Sequence, residues 1–204
     1  QKINIIKPLI RKEYYESGTY EKKDNLFTII IIGGSQGAKI FDDLLNKTIV
    51  GIAKQISIKI IHQTSEKNIN LLKNFYSKNN IESRVFSFDR NLNKVLKQGD
   101  LCITRAGASS LAELSFLNIP FIAIPLPSSK DNHQYENAKY YKEKDCCWII
   151  DQKNFDNQKF GKFLLGLTNK NNDYMTKKKN LQKLNYQNTW NNVNQKILKI
   201  FNEN

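Results

Sequence analysis

The sequence predicts an α/β fold, a doubly wound parallel sheet of about six strands with extra helices at the C-terminal end. Three observations predict it. Short apolar, β-branched runs alternate with segments of helical period through residue 150. The junctions that follow these runs are rich in glycine and polar residues, and beyond residue 151 the period is helical with little strand character. Parallel strands need crossover connections, and right-handed crossovers place every strand's C-terminal end on one edge of the sheet.

The first run, residues 26–32, is continuous and β-branched, as in a strand buried on both faces. It stops at Gly33-Gly34-Ser35-Gln36-Gly37-Ala38, after which Ile40, Phe41, Leu44, Leu45 and Thr48 fall on one helical face. Strand, glycine loop and helix form the opening unit of a Rossmann-like nucleotide-binding domain, whose loop amides face a phosphate or sugar. Residues 57–63 read as the second strand and 66–76 as its helix; 84–88 read as the third strand, 91–97 as a short helix and 100–104 as the fourth strand. The fifth, over 120–126, is bounded by Pro120, Pro125 and Pro127 and empties into the polar loop 128–134. A helix over 134–142 and a sixth strand over 146–150 complete the series. Helices are then expected over 155–167, 173–184 and 189–201, the last with a stripe of Val193, Ile197, Leu198, Ile200 and Phe201 that needs a packing partner.

After the fourth strand comes Arg105-Ala106-Gly107-Ala108-Ser109-Ser110-Leu111-Ala112-Glu113, read as a tight glycine turn and the first turns of a helix. A helix start has backbone N–H groups without intrahelical partners and a positive macrodipole end, which stabilise an anion by roughly 0.3–1 kcal/mol. Gly107 lets a ligand approach the backbone, Ser109 and Ser110 add hydroxyl donors, and Glu113 can accept two hydrogen bonds from a vicinal diol such as a ribose. A serine N-cap followed by an acidic residue accounts for the same letters without a ligand. The loops at 33–38, 88–91, 105–110 and 128–134 all leave the same sheet edge, where ligands of open parallel sheets bind.

The chain has 204 residues, with 32 Lys and Arg against 19 Asp and Glu, a net charge of +13. That balance favours anionic partners, but the lysines are spread along the whole chain. Aromatic and basic residues do not interleave on one element, so no nucleic-acid partner is expected. No run approaches the ~18 to 20 apolar residues of a membrane span, and the basic N-terminal stretch lacks a signal-peptide core, so a cytosolic location is expected. Cys102, Cys146 and Cys147 have neither metal-ligand spacing nor a disulfide framework and read as buried free thiols. Gly33 to Ala38 does not follow Gly-x-Gly-x-x-Gly, and Gln63-Thr64 stand where a dinucleotide-binding oxidoreductase has an acidic residue.

Three motifs in this order are similar to one family: Gly33-Gly34-Ser35-Gln36-Gly37-Ala38, then Arg105-Ala106-Gly107-Ala108 followed by Glu113, then Asp131 to Gln134 before Tyr135 and Asn137-Ala138. The pattern resembles the C-terminal domain of the MurG family, peripheral membrane glycosyltransferases of the GT-B type in bacterial peptidoglycan synthesis. These transfer N-acetylglucosamine from UDP-GlcNAc to lipid I, forming lipid II. The resemblance covers the chain from about Pro8 onward.

It implies that this chain binds the UDP-GlcNAc donor. By that resemblance Ser35, with the amides of Gly34, Gln36 and Gly37, meets the diphosphate or sugar, and Arg11 matches an arginine at the domain junction. Arg105 and Ala108, Ser109, Ser110, Leu111, Ala112 and Glu113 line the diphosphate and ribose, the backbone at Asp89 reads the uracil edge, and His133 and Gln134 meet the sugar. The sequence departs from the family at Lys39, Asp89 and His133, and Pro8-Leu9-Ile10-Arg11 is one residue longer than the family's usual Pro-Val-Arg. No Asp-x-Asp motif ends a strand, so neither a metal nor another cofactor is expected.

The organisation so implied is an interdomain linker or strand over 1–25, a UDP-sugar-binding domain over 26–185, and a C-terminal helix over 186–204 that packs on an N-terminal domain not matched in this chain. General base, acceptor site and membrane patch belong to that absent domain. The chain alone is therefore expected to be inactive, as the donor half of a transferase at the cytoplasmic face of the inner membrane. The rival is a non-catalytic nucleotide-sugar-binding subunit of a split transferase.

Overall fold

The structure, a computed structural model, describes residues 7–16, 22, 24–33 and 39–202. Six strands, β1 (Phe27–Ile32), β2 (Ile58–Gln63), β3 (Glu82–Phe86), β4 (Leu101–Thr104), β5 (Phe121–Ala123) and β6 (Cys147–Ile149), form one sheet in the order β3-β2-β1-β4-β5-β6. Every neighbouring pair is parallel. Strand order reverses between β1 and β4, where Ile29 lies opposite Leu101 and Ile32 opposite Thr104.

The composition of the central strands follows from their having no solvent face. Every residue of β1 and β4 is buried. Ile30, Ile32 and Cys102 face one hydrophobic core, and Ile29, Ile31, Leu101 and Ile103 face the other. The first core is closed by α5 (Leu92–Leu96), α6 (Ala108–Phe116) and α7 (His133–Lys142). The second is closed by α2 (Lys39–Leu44), α3 (Asn46–Ala53), α4 (Ile69–Lys78) and α8 (Asn157–Thr168), while α9 (Asn172–Leu184) contributes Tyr174 to the second core and Leu181 to the first. Helices on both faces make the fold doubly wound, as the alternation of runs predicts.

The fifth and sixth strands are shorter than the expected 120–126 and 146–150, and three further differences have a local cause. The helix expected over 40–48 runs to Ala53 with a break at Leu45, because Ile49 and Ile52 extend the fully buried face begun by Phe41 and Leu45. The third strand begins at Glu82, not Arg84, and ends before Phe88. Glu82 pairs with Lys59 on β2, their side chains 2.7 Å apart, so an edge strand's polar start reads in the sequence as loop.

The third difference lies at the N-terminal side. A linker or strand is expected over 1–25; its described part holds a one-turn helix, α1 (Lys12–Glu16), and joins the first core through Ile10 and Tyr14, both fully buried. Ile10, just before the turn, and Tyr14, within it, both point into the core, while Arg11, Lys12 and Glu13 are exposed. The segment is fastened to residues 186–188: Ile10 N–H donates to the Asn188 carbonyl (3.0 Å), Tyr186 Oη to the Pro8 carbonyl (2.8 Å), and Asn188 Nδ2 to the carbonyls of Lys7 and Pro8.

The last helix, α10 (Trp190–Asn202), buries Val193 and leaves Trp190, Leu198 and Phe201 exposed. Among the described residues no helix is long and apolar enough to cross a membrane. All three cysteines are free and buried, and burial pushes the Cys147 thiol up to about 12, which leaves it protonated at neutral pH.

Candidate functional site

The reversal of strand order puts the end of β1 beside the end of β4, and the groups that follow these two ends define the site. After β1 comes Gly33; Gly34, Ser35, Gln36 and Gly37 lie outside the described residues. After β4, Gly107 caps α6 in extended conformation (φ −66°, ψ 135°). Its carbonyl accepts the Leu111 N–H at 3.0 Å, so the amides of Ala108, Ser109 and Ser110, which precede that bond, have no intrahelical acceptor. Ser109 is exposed, and Ala108 and Ser110 are half-buried. The side chains of Leu111 and Ala112 are fully buried in the core, so this turn offers a ligand the backbone and hydroxyls of residues 107–110, with Glu113 behind them.

Gly107 does not need to be glycine for the fold. Among the described residues a Cβ there meets only Ser110 Oγ, at 3.7 Å, and its φ is open to any residue. Gly107→Ala is therefore expected to leave the melting temperature unchanged and, if the free amides of this turn bind an anion, to weaken UDP binding by crowding them. Thermal unfolding and UDP titration on the same sample check this.

Glu113 is engaged in a way its sequence position does not reveal. Its side chain is 4% exposed and lies against Arg11, with Nε–Oε1 at 2.6 Å and Nη2–Oε2 at 3.2 Å. Arg11 Nη2 also donates to Tyr14 Oη at 2.9 Å. The hydrogen bond to Glu113 drives the Arg11 pKa upward, and burial, with Glu113's charge nearby, drives Tyr14 up. Two residues expected separately at the site thus form one bidentate pair across 102 positions of sequence.

Arg105 is buried, and Nη1 donates to the carbonyls of Ile124 (3.0 Å) and Pro125 (3.2 Å), with the guanidinium 4.9 Å from the centre of the Phe41 ring. It ties the turn after β4 to the end of β5 and to α2, and burial lowers its pKa. Gln134 Oε1 accepts from Leu126 N (2.9 Å) and Ala106 N (3.3 Å), and Asn137 Nδ2 donates to the Ala106 carbonyl (3.0 Å). Both residues sit on α7 and hold the loops after β4 and β5 together, so Gln134's oxygen is occupied by the scaffold. Asp131 and Asn132 are left-handed (φ 50° and 54°), turning the chain into α7. His133 is exposed and donates from Nδ1 to the Lys130 carbonyl at 2.7 Å.

The Asp89 carboxylate is used within its own loop, accepting from Arg84 Nη2 and, at 2.7 Å, from the Asn91 amide. Beside it Phe88 is 75% exposed at the same sheet edge. Sequence reasoning did not assign Phe88 to the site; an aromatic in a junction loop beyond a strand was the available signal. Tyr14 was missed as well, for its contact with Arg11 depends on where the N-terminal segment docks.

Residues 28–193 match the Glycosyltransferase family 28 C-terminal domain. The chain is 44% identical over 203 residues to the UDP-N-acetylglucosamine--N-acetylmuramyl-(pentapeptide) pyrophosphoryl-undecaprenol N-acetylglucosamine transferase of Pelagibacter ubique (strain HTCC1062), which covers 100% of this chain and 57% of that protein. The protein of the same name from Rickettsia massiliae (strain Mtu5) is 42% identical over 149 residues, 72% of this chain and 40% of that one. Among solved structures, Acinetobacter baumannii MurG superposes with a TM-score of 0.73 at 23% identity over 94% of this chain and 52% of its own. WaaG, a glycosyltransferase involved in lipopolysaccharide biosynthesis, gives 0.64 at 14% identity over 89% and 51%. These two structures share the fold, and the chain spans about half the length of the relatives it matches.

Proposed function

This chain belongs to the glycosyltransferase family 28 C-terminal domain family, and from that premise we propose that it is the UDP-GlcNAc-binding half of the transferase that converts lipid I to lipid II. One observation carries the reading: the open N-terminus of α6 stands at the strand-order reversal with the Glu113 carboxylate one turn behind it. That spacing suits a diphosphate joined to a ribose. The amides and hydroxyls of Ala108 to Ser110 take the phosphates, and Glu113 takes the ribose hydroxyls.

The remaining roles are carried by the family resemblance. Ser35 and the amides of Gly34 to Gly37, which lie outside the described residues, take the diphosphate or sugar. The backbone at Asp89 meets the uracil edge, with Phe88 offering apolar surface to the base. Gln134 and His133 lie on the sugar side; Gln134 uses its Nε2 donors, since Oε1 is held by backbone amides. Arg105 adds positive charge near the phosphates while bracing the loops.

The chemistry is displacement of UDP from the sugar's anomeric carbon by an acceptor hydroxyl. Negative charge grows on the leaving phosphate, and preorganised amides with a helix N-terminus stabilise that charge more in the transition state than in the ground state. Acceptor and general base belong to the part of the relatives this chain does not span. By this reading residues 26–185 are the donor domain, the exposed face of α10 seats against that further part, and the basic surface favours an anionic membrane at its cytoplasmic face.

Calorimetric titration of the chain with UDP-GlcNAc, UDP-GalNAc and NADH tests the proposal. The expected result is binding of the UDP-sugars with preference for GlcNAc. Binding of NADH alone overturns it.

A further inference from the structure

Behind the site lies a buried polar cluster that the donor contacts leave unused. His62, at the end of β2, is fully buried, and Asp42 on α2 and Thr64 are nearly so. Tyr76 Oη from α4 lies 2.7 Å from His62 Nδ1, and His62 Nε2 faces Asp42 Oδ1 at 3.3 Å. Asp42 Oδ2 accepts from Thr64 Oγ1 (2.7 Å) and Asn68 Nδ2 (2.6 Å). His62 Nε2 and Asp42 Oδ1 have no other partner among the described residues, so each depends on the other. Burial keeps Tyr76 a neutral phenol that donates to Nδ1, and the ring's remaining N–H is thereby aimed at Asp42. Burial opposes the Asp42 charge, but hydrogen bonds from His62, Thr64 and Asn68 outweigh it and hold the carboxyl below the usual range.

The cluster does more than fill space. Asp42 is next in the chain to Phe41, whose ring lies under the Arg105 guanidinium, and Arg105 in turn holds the β5 end. One end of this chain of contacts is fixed to β2 and α4, and the other reaches the loop that opens α6. We infer that Asp42, His62 and Tyr76 are positioning residues for donor binding: they fix α2, and through Phe41 and Arg105 the phosphate side of the site, relative to the sheet. The inference rests on the donor-site reading above. Buried polar networks set geometry because each member has few alternatives to its neighbour, as His62 Nε2 and Asp42 Oδ1 do here, and supporting shells of this kind govern how well a binding group is placed.

The test compares UDP with uridine on the purified chain. Uridine reports the base and ribose side, and UDP adds the phosphates. Asp42→Ala and His62→Leu are expected to weaken UDP binding about tenfold while changing uridine binding less than about twofold. Tyr76→Phe, which removes one hydroxyl, has the same pattern with a smaller loss. Asp42→Asn is expected to restore UDP affinity, since the His62 ring can exchange tautomers to face an amide.

UDP affinity unchanged in Asp42→Ala and His62→Leu overturns the inference, as does parallel loss of UDP and uridine in all three disruptive variants. Parallel loss shows a cluster that supports the whole fold. Failure of the unsubstituted chain to bind either ligand overturns the donor-site reading itself, which separates the two failures.

Discussion

Replacing Glu113 by alanine is expected to lower UDP affinity by about a hundredfold, the sum of two charge-assisted hydrogen bonds at about 1.5–3 kcal/mol each with partial replacement by water. A carboxylate offers about four lone-pair directions. Arg11 occupies one on each oxygen, and the two hydroxyls of a ribose take the remaining directions, displacing the Tyr14 hydroxyl that lies against the carboxylate. Arg11 therefore orients the carboxylate before the ligand arrives, and a preoriented acceptor binds with less loss of side-chain freedom. Arg11→Ala is expected to show a smaller loss of the same kind. Glu113→Ala removes the buried charge and leaves the half-exposed Arg11 to solvent, so fold stability changes little, whereas Arg11→Ala strands the buried carboxylate without its partner and is expected to lower the melting temperature as well. Titration with UDP and with its 2′-deoxy analogue reads the result: the native chain discriminates between them and Glu113→Ala does not. Equal UDP affinity in native and variant removes Glu113 from the site.

Arg105→Leu is expected to act on stability first. The variant keeps a long apolar stem over Phe41 but leaves the carbonyls of Ile124 and Pro125 without their guanidinium donor at the buried end of β5. Leaving buried acceptors unsatisfied costs about 3 kcal/mol, which in a chain of this size lowers the melting temperature by roughly 10 °C. Scanning calorimetry measures it. An unchanged melting temperature with a large loss of UDP affinity reverses the assignment and makes Arg105 a direct phosphate contact.

Much of this architecture is written in local sequence. Six strands were readable because central parallel strands are apolar on both faces, and the glycine and proline residues around them mark where the chain must turn. The strand order was not, since nothing local in residues 27–32 says that residues 101–104 lie beside them. The same division holds at the site. Gly107 to Ser110 and Glu113 are contiguous, so their chemistry can be read from spacing. The Arg11–Glu113 pair and the Asp42–His62–Tyr76 cluster arise only when distant elements dock, and the separate letters resemble ordinary surface and core residues. Phe88 stands between these cases: the sequence reads it both as the end of a strand and as the start of the junction loop 88–91, and the end of β3 at Phe86 puts it in the loop.

The hydrogen bonds that join residues 7–10 to residues 186–188 bring two segments about 180 positions apart into direct contact. Ile10 sits in this seam and in the first core at once, so the seam cannot part without uncovering core surface: residues 7–10 and 186–188 behave as a hem stitched to the body of the domain.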